Sequence, residues 1–498
     1  MNTPEHPAKS EPSDAEKAMK ARVEARLTRP TARSTGTLTT SKRTLAYRTE
    51  AGFIPVAGKD GEPEAAVMTT AYLEEGADPT RRGVCFAFNG GPGSASVWLQ
   101  FGALGPKRVV VPDDASVGMP PYAAVDNPLS WLEHFDLVFI DPPHTGWSLT
   151  ASDAARKKML STDGDIAALA EVMRLWLVRN RRLSSALYLC GESYGTTRGA
   201  GLALAMLEQG LAFSGLILVS CAMDLQSIVF GHGNDLPCAL FLPAFANTAQ
   251  YHGLLQGELA SSPQAARAAA EAFVQDEYAA ALLSAGRLST HQRARIAGRI
   301  AELTGLSRAQ VEEQDLRITD GFYFVEALRA RGQVVGRLDS RAAGPAAAQR
   351  KGEMEFDPGI EALSSPYTMA ALATFAGTLG LDLEDRYQVL NLEVNRQWDW
   401  RRGTLGGEID GLQGYTSTSS DLATALRRHP HLKVLAASGR YDLGTPYSAT
   451  DWSLARLDAP AEVRARIVHR YYDAGHMMYT RQADLEQLNA DLAAWLST

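Results

Sequence analysis

Three side chains far apart in the sequence have the types that acyl transfer needs, a hydroxyl, an imidazole and a carboxylate. The hydroxyl is Ser193, in Gly191-Glu192-Ser193-Tyr194-Gly195. The segment from Ala186 to Cys190 before it has the length of a buried strand, and a helix-compatible Ala- and Leu-rich segment from Thr196 to Leu207 follows. A serine on a tight strand-to-helix turn is lifted clear of a sheet, and Gly191 and Gly195 are then steric requirements. A serine is a poor nucleophile until a base takes its proton and an acid orients that base. His476, after Gly475 on the loop that follows the strand Ile467 to Tyr472, is the candidate base. Asp442 stands a few residues beyond the apolar run Val434 to Ala437 and is the candidate acid, with Asp451 a weaker one. His469 alternates within its strand and reads as structural. The oxyanion formed by such an attack needs fixed donors. Asn89-Gly90-Gly91-Pro92-Gly93, at the end of the strand Gly83 to Phe88, can bring backbone N–H groups close to a substrate oxygen. The donors expected are the backbone N–H groups of Gly91 and Tyr194.

Gly-x-Ser-x-Gly alone arises by chance about once in five to ten chains of this length and composition. Its order with the other two groups is more telling: Ser, then Asp, then His, each just past its own strand, is the order of the α/β-hydrolases. The alternation of strand and helix from Gly83 to Ser220, including a helix over Asp163 to Val178, predicts a mostly parallel central sheet flanked by helices. From Arg43 to Glu75 the pattern is of two or more antiparallel strands. A final amphipathic helix is expected over Arg481 to Leu496.

The predicted division is a disordered tail over 1–40, the first part of an α/β-hydrolase core over 41–220, a mainly helical cap insertion over 221–390, and the second part of the core over 391–498. The tail is rich in Glu, Lys, Arg, Ser, Thr and Pro, and Asp14 to Leu27 has too few apolar positions to hold more than a transient helix. In the cap, Pro263 to Leu283 and Thr290 to Leu303 read as helices, and such an excursion would cover the mouth of the site. His232, Tyr251, His252, Trp398 and Trp400 read first as packing residues.

With 498 residues, 45% hydrophobic and 21% charged, the composition is that of a globular protein large enough for one domain and an insertion. A net charge of -8 gives no reason to expect nucleic acid or an anionic membrane surface as partner. No apolar run has the length of a bilayer span, and no secretory signal is visible at the start, which implies a cytoplasmic protein. Cys85, Cys190, Cys221 and Cys238 lack metal-ligand spacing. Free thiols are expected, with a Cys221–Cys238 disulfide the open alternative, and no metal or cofactor is expected. A phosphate-cradling role for the glycine loop is disfavoured because no Gly-Lys-Ser/Thr follows it.

Four ordered segments, Asn89 to Gly93, Asn127-Pro128-Leu129-Ser130-Trp131, Leu137 to Ser148 with its Asp141-Pro142-Pro143-His144-Thr145-Gly146, and Gly191 to Gly195, together resemble the serial signatures of the serine carboxypeptidase family. The Gly475-His476-Met477 segment is similar to the family's as well. The resemblance runs from about residue 83 to the C-terminus. It implies a peptide substrate with a free C-terminus, its carboxylate met by Asn89, the Gly90 backbone and Glu192. A carboxyl beside the nucleophile could donate a hydrogen bond to that carboxylate only while protonated. The chain departs from the family at Ala103, where a second Glu is expected, and at Ala87 and Ser94, where the family has an aromatic residue and, in many secreted members, a cysteine. Three readings stay open: a serine carboxypeptidase, an esterase or acyltransferase with the same three groups, and a non-catalytic binding protein on this scaffold. The oligomeric state is not legible.

Overall fold

The computed structural model describes residues 13–349, 352–381, 383–402 and 414–498. Among them the strands β1 (Ala32–Thr39), β2 (Thr44–Ala57), β3 (Pro63–Glu74), β4 (Gly83–Phe88), β5 (Phe135–Ile140), β6 (Leu187–Glu192), β7 (Phe213–Val219), β8 (Lys433–Gly439) and β9 (Ile467–Tyr472) form one sheet in the order β1-β2-β3-β5-β4-β6-β7-β8-β9. The six strands from β5 to β9 in that order run parallel. The β1–β2–β3 meander joins them antiparallel at one side. This is the architecture of the α/β-hydrolase fold.

Parallel strands covered on both faces need apolar residues at every position rather than at alternate ones. Val84, Cys85, Phe86, Ala87 and Phe88 are all fully buried, as are all six residues of β5. On one face lie α2 (Thr162–Arg179) and α3 (Tyr194–Glu208), whose Leu169, Met173, Leu202 and Met206 join Phe86, Leu189 and Leu218 in one cluster. On the other, α8 (Gln482–Ser497) contributes Leu485, Leu488 and Leu492 to a second cluster around Phe101 and Trp131.

The insertion is not one body. The helices α4 (Leu236–Tyr251), α5 (Pro263–Phe273) and α6 (Thr290–Thr304) surround a cluster of their own, built on Phe241, Phe245, Ile300 and Tyr323. The last long helix before residue 390, α7 (Pro358–Leu379), instead packs Tyr367, Ala371 and Phe375 into the hydrolase core beside Trp98 and Phe101. The cap expected over 221–390 therefore ends earlier in space than in sequence. Apolar composition alone does not say which of two cores a helix will join.

The expected disordered tail is corrected over residues 13–40; residues 1–12 lie outside the described residues, as do 403–413 in the second half of the core. Helix α1 (Asp14–Thr28) starts at a capping box of Ser13 and Glu16, buries Val23, and is held by ion pairs of Lys20 with Glu62 and of Arg26 with Asp385. The segment after it becomes the edge strand β1, paired with β2 along its whole length. Polar alternation hid this strand: an edge strand gains its stability from backbone pairing and needs few apolar side chains. All four cysteines are buried and unpaired. No helix among the described residues is long and apolar enough to cross a membrane.

Candidate active site

The neighbouring strands β6, β7, β8 and β9 end at the same edge of the sheet, the edge where open parallel sheets carry their sites. Ser193 follows β6 directly with φ +61° and ψ −130°, a conformation unfavourable for a residue with a Cβ. The strain is tolerated because the turn is closed on every side. A Cβ on Gly191 would lie 2.3 Å from Gly195 O, and one on Gly90 would lie 2.4 Å from Tyr194 N. The glycine loop is thus pressed against the elbow at Gly90, next to the head of α3. Tyr194 is the first residue of that helix, where an N–H has no acceptor within the helix.

Asp442 and His476, on the loops after β8 and β9, form a hydrogen bond from Nδ1 to Oδ2 of 2.7 Å. Both are buried, at 0% and 4% exposure. Asp442 also accepts from the backbone N–H groups of Gly444 (2.7 Å) and Thr445 (2.9 Å), and from the Thr445 hydroxyl (2.7 Å). Burial pushes this carboxyl up, but the His476 ring and the Thr445 donors outweigh it, and the net direction is below the ordinary aspartate value. Burial pushes His476 down, and the charge and hydrogen bond of Asp442 reverse that, leaving it above the ordinary histidine value. The pair holds the imidazole in one tautomer and stabilises its charged form.

Ser220 joins this pair to the elbow. Ser193 N–H donates to Val219 O at 2.9 Å, Ser220 N–H donates to Ala437 O on β8 at 2.8 Å, and the Ser220 hydroxyl donates to His476 O at 2.6 Å. Ser193 Oγ itself makes no hydrogen bond to another described residue. Links of this kind commonly tighten only when substrate is bound.

Glu192 is 3% exposed and accepts at both oxygens, from Asn89 Nδ2 at 2.8 Å and from the Tyr479 hydroxyl at 2.6 Å. Burial pushes it up to about 7 even though His476 and these two donors pull it down. The amide oxygen of Asn89 accepts from Leu99 N–H at 3.0 Å. Beneath the loop, the buried Arg198 guanidinium donates to Asn89 O at 2.7 Å and to Asp165 at 2.6 Å, and lies over the rings of Phe88 and Tyr194. From the outside, Asn391 N–H donates to Gly93 O at 2.7 Å and Asn395 Nδ2 to Gly91 O at 3.2 Å.

The fold therefore brings Asn89, Gly90, Gly91, Glu192, Ser193, Tyr194, Asp442 and His476 to one edge. Trp398 and Trp400 stand edge-on to the Tyr194 ring, at 5.2 and 5.6 Å. His252 is engaged with Ser340 O, and His232 is exposed. The segment around Asn127 and Ser130 braces the turn at Leu104 and Gly105. Asp141 is held by Ser96 N–H and the Tyr387 hydroxyl. A second chain of the same residue types exists: Asp451 to His469 Nδ1 at 2.8 Å and His469 Nε2 to Ser438 at 2.9 Å. Ser438 lies inside β8, fully buried, with no elbow and no open face. Hydrogen bonding alone would favour this second set, whose imidazole reaches a serine hydroxyl; access favours Ser193, which is partly exposed at its elbow. Thr445, Ser220, Arg198 and Tyr479 have no role in the sequence reading. Thr445, just after the acid in a Gly-Thr-Pro turn, carried the one usable signal, since hydroxyls there bond back to the preceding carboxylate. Among the described residues, no group of three or more His, Cys, Asp and Glu side chains could hold a metal ion.

Residues 41–287 match the serine carboxypeptidase family. Over that span the chain belongs to it. No curated protein matches the sequence significantly. Among solved structures, Kex1(Δ)p, a prohormone-processing carboxypeptidase from Saccharomyces cerevisiae, is 14% identical with a TM-score of 0.56, over 91% of this chain and 91% of that one. Proline iminopeptidase from Mycobacterium smegmatis is 12% identical with a TM-score of 0.38, over 90% of this chain and 97% of that one. At these identities the first likeness speaks for the fold. The family match makes the chain a serine hydrolase of the carboxypeptidase type.

Proposed function

We propose that this serine carboxypeptidase releases C-terminal residues from peptides through an acyl-enzyme formed on Ser193. His476 takes the Ser193 proton as the hydroxyl attacks the scissile carbonyl, then gives it to the leaving amine; a water repeats the cycle to free the shortened peptide. Asp442 stabilises the imidazolium in between. The N–H groups of Gly91 and Tyr194 receive the oxyanion, and losing one such donor commonly costs on the order of a hundred- to a thousandfold in turnover. Asn89, the Gly90 backbone and a protonated Glu192 receive the terminal carboxylate. The observation that carries this reading is the strained Ser193 elbow at the same sheet edge as a buried His476–Asp442 pair, on strands β6, β8 and β9 of one parallel run.

An organophosphonate should label the protein at a single site, and Ser193→Ala should abolish the labelling; labelling that survives elsewhere removes this nucleophile. Blocked dipeptides offered as free acids, amides and esters separate the substrate classes. Preference for the free acids supports the carboxylate site. Equal or faster turnover of esters favours an esterase or acyltransferase using the same three groups.

A further inference from the structure

Glu192 is faced by Asn89 from the loop after β4, by His476 and Tyr479 from the segment after β9, by Asp442 from the loop after β8, by Cys190 of its own strand and by Tyr367 of α7. Among the described residues, only Asn89 and Tyr479 reach its oxygens, one each. An ionised carboxylate accepts from both. A protonated one must place its own hydrogen, and the Asn89 amide nitrogen cannot accept it. The Tyr479 oxygen can, if the phenol hydrogen turns away, or the proton can face the substrate. The Tyr367 hydroxyl is fully buried and has no hydrogen-bond partner among the described residues. It converges with the edge of the Tyr479 ring on Gly102, where a Cβ would lie 2.8 Å from the first and 2.3 Å from the second. Tyr479 is thereby fixed by packing while its hydroxyl keeps a choice of hydrogen direction.

We propose that Tyr479 is the positioning residue for Glu192: its phenol holds the carboxyl in place and sets the pH at which the carboxyl ionises, so that binding of a peptide's terminal carboxylate is gated by a tyrosine. The proposal rests on the carboxylate reading given above. A hydrogen bond donated to a carboxylate favours the charged form. Tyr479→Phe keeps the ring and removes that donor, so Glu192 should hold its proton to a pH higher by about one to two units, the size expected for one hydrogen bond to a charged group. A 3-fluorotyrosine at 479, a stronger donor, should move it the other way. An ionised Glu192 repels a substrate carboxylate, so KM for free-acid dipeptides should climb as Glu192 ionises, and that climb should shift with the variant while KM for the amides does not.

The test is a pair of titrations. Infrared difference spectra of the carboxyl stretch, with Glu192→Gln assigning the band, read the protonation of Glu192 directly in the wild type, Tyr479→Phe and the fluorotyrosine protein. KM and kcat against pH for free acids and amides read its consequence, and stoichiometric phosphonate labelling of Ser193 shows that each variant is folded. Opposite shifts of the band in the two variants, followed by KM for the free acids alone, are the expected result. A band that does not move overturns the proposal and leaves the carboxylate reading standing, provided Glu192→Gln removes the KM climb. A band that moves without KM following overturns the gating together with the carboxylate reading beneath it. If the phenylalanine variant does not fold, the fluorotyrosine protein decides alone, since an unmoved band there also overturns the proposal.

Discussion

Replacing Glu192 by glutamine removes one titrating proton and little else, because the amide has the size and hydrogen-bonding reach of the protonated acid. In the folded protein burial pushes this carboxyl from its ordinary 4.5 up to about 7. Between those values the folded state holds a proton that the unfolded chain has released, so stability falls as pH rises through the window. The contribution is fully present below pH 4.5 and gone above pH 7. A span of about 2.5 units at about 1.36 kcal/mol each comes to about 3 kcal/mol. Asp141, which burial pushes up to about 6, adds a fall of the same sign in wild type and variant alike. It cancels when the two are compared. Urea unfolding of wild type and Glu192→Gln at pH 4.5 and pH 8 should give stability differences that themselves differ by about 3 kcal/mol, with the variant gaining at the higher pH. Parallel pH dependences would refute the claim that Glu192 is protonated in the folded protein near neutrality. Hydrogen-bond donation by Glu192 to a substrate carboxylate would fall with it.

Two further outcomes follow from buried polar groups. Arg198→Met leaves the buried Asp165 carboxylate without its ion partner and should cost about 3–5 kcal/mol by urea unfolding, whereas Asp165→Asn with Arg198→Met should recover most of it; a double variant no more stable than the single one would show that the pair is not the source of the loss. Ser438→Ala removes one buried hydroxyl from the Asp451–His469 chain and should cost about 1 kcal/mol while phosphonate labelling and turnover persist; loss of labelling would mean that the wrong serine has been assigned.

Sequence alone determined the hydrolase core. Its parallel strands must be apolar throughout, because both faces are covered. Its elbow must carry Gly191 and Gly195, because neighbouring backbone leaves no room for a Cβ. Both constraints act on residue type over a short span and can be read from a linear string. The order of Ser193, Asp442 and His476 was legible for the same reason, each lying just past an apolar run. What depended on distant partners was not legible. Helix α1 and strand β1 carry few apolar residues, and they are held by Glu62, Asp385 and the β2 backbone. Helix α7 could have joined either core. Asp451 and His469 have the same residue types as the proposed catalytic pair and do bond a serine, and the burial of Ser438 within its strand, against the partly exposed Ser193 at its elbow, separates the two sets. The substrate end of the site was least legible. One of the two partners of Glu192 is Tyr479, 287 residues away in sequence, and no local pattern announces a contact that exists only because β6 and β9 end at the same edge of one sheet. Local sterics and hydrophobic patterning are written in the chain; burial, and with it the charge that each carboxyl carries, comes into being when the strands assemble.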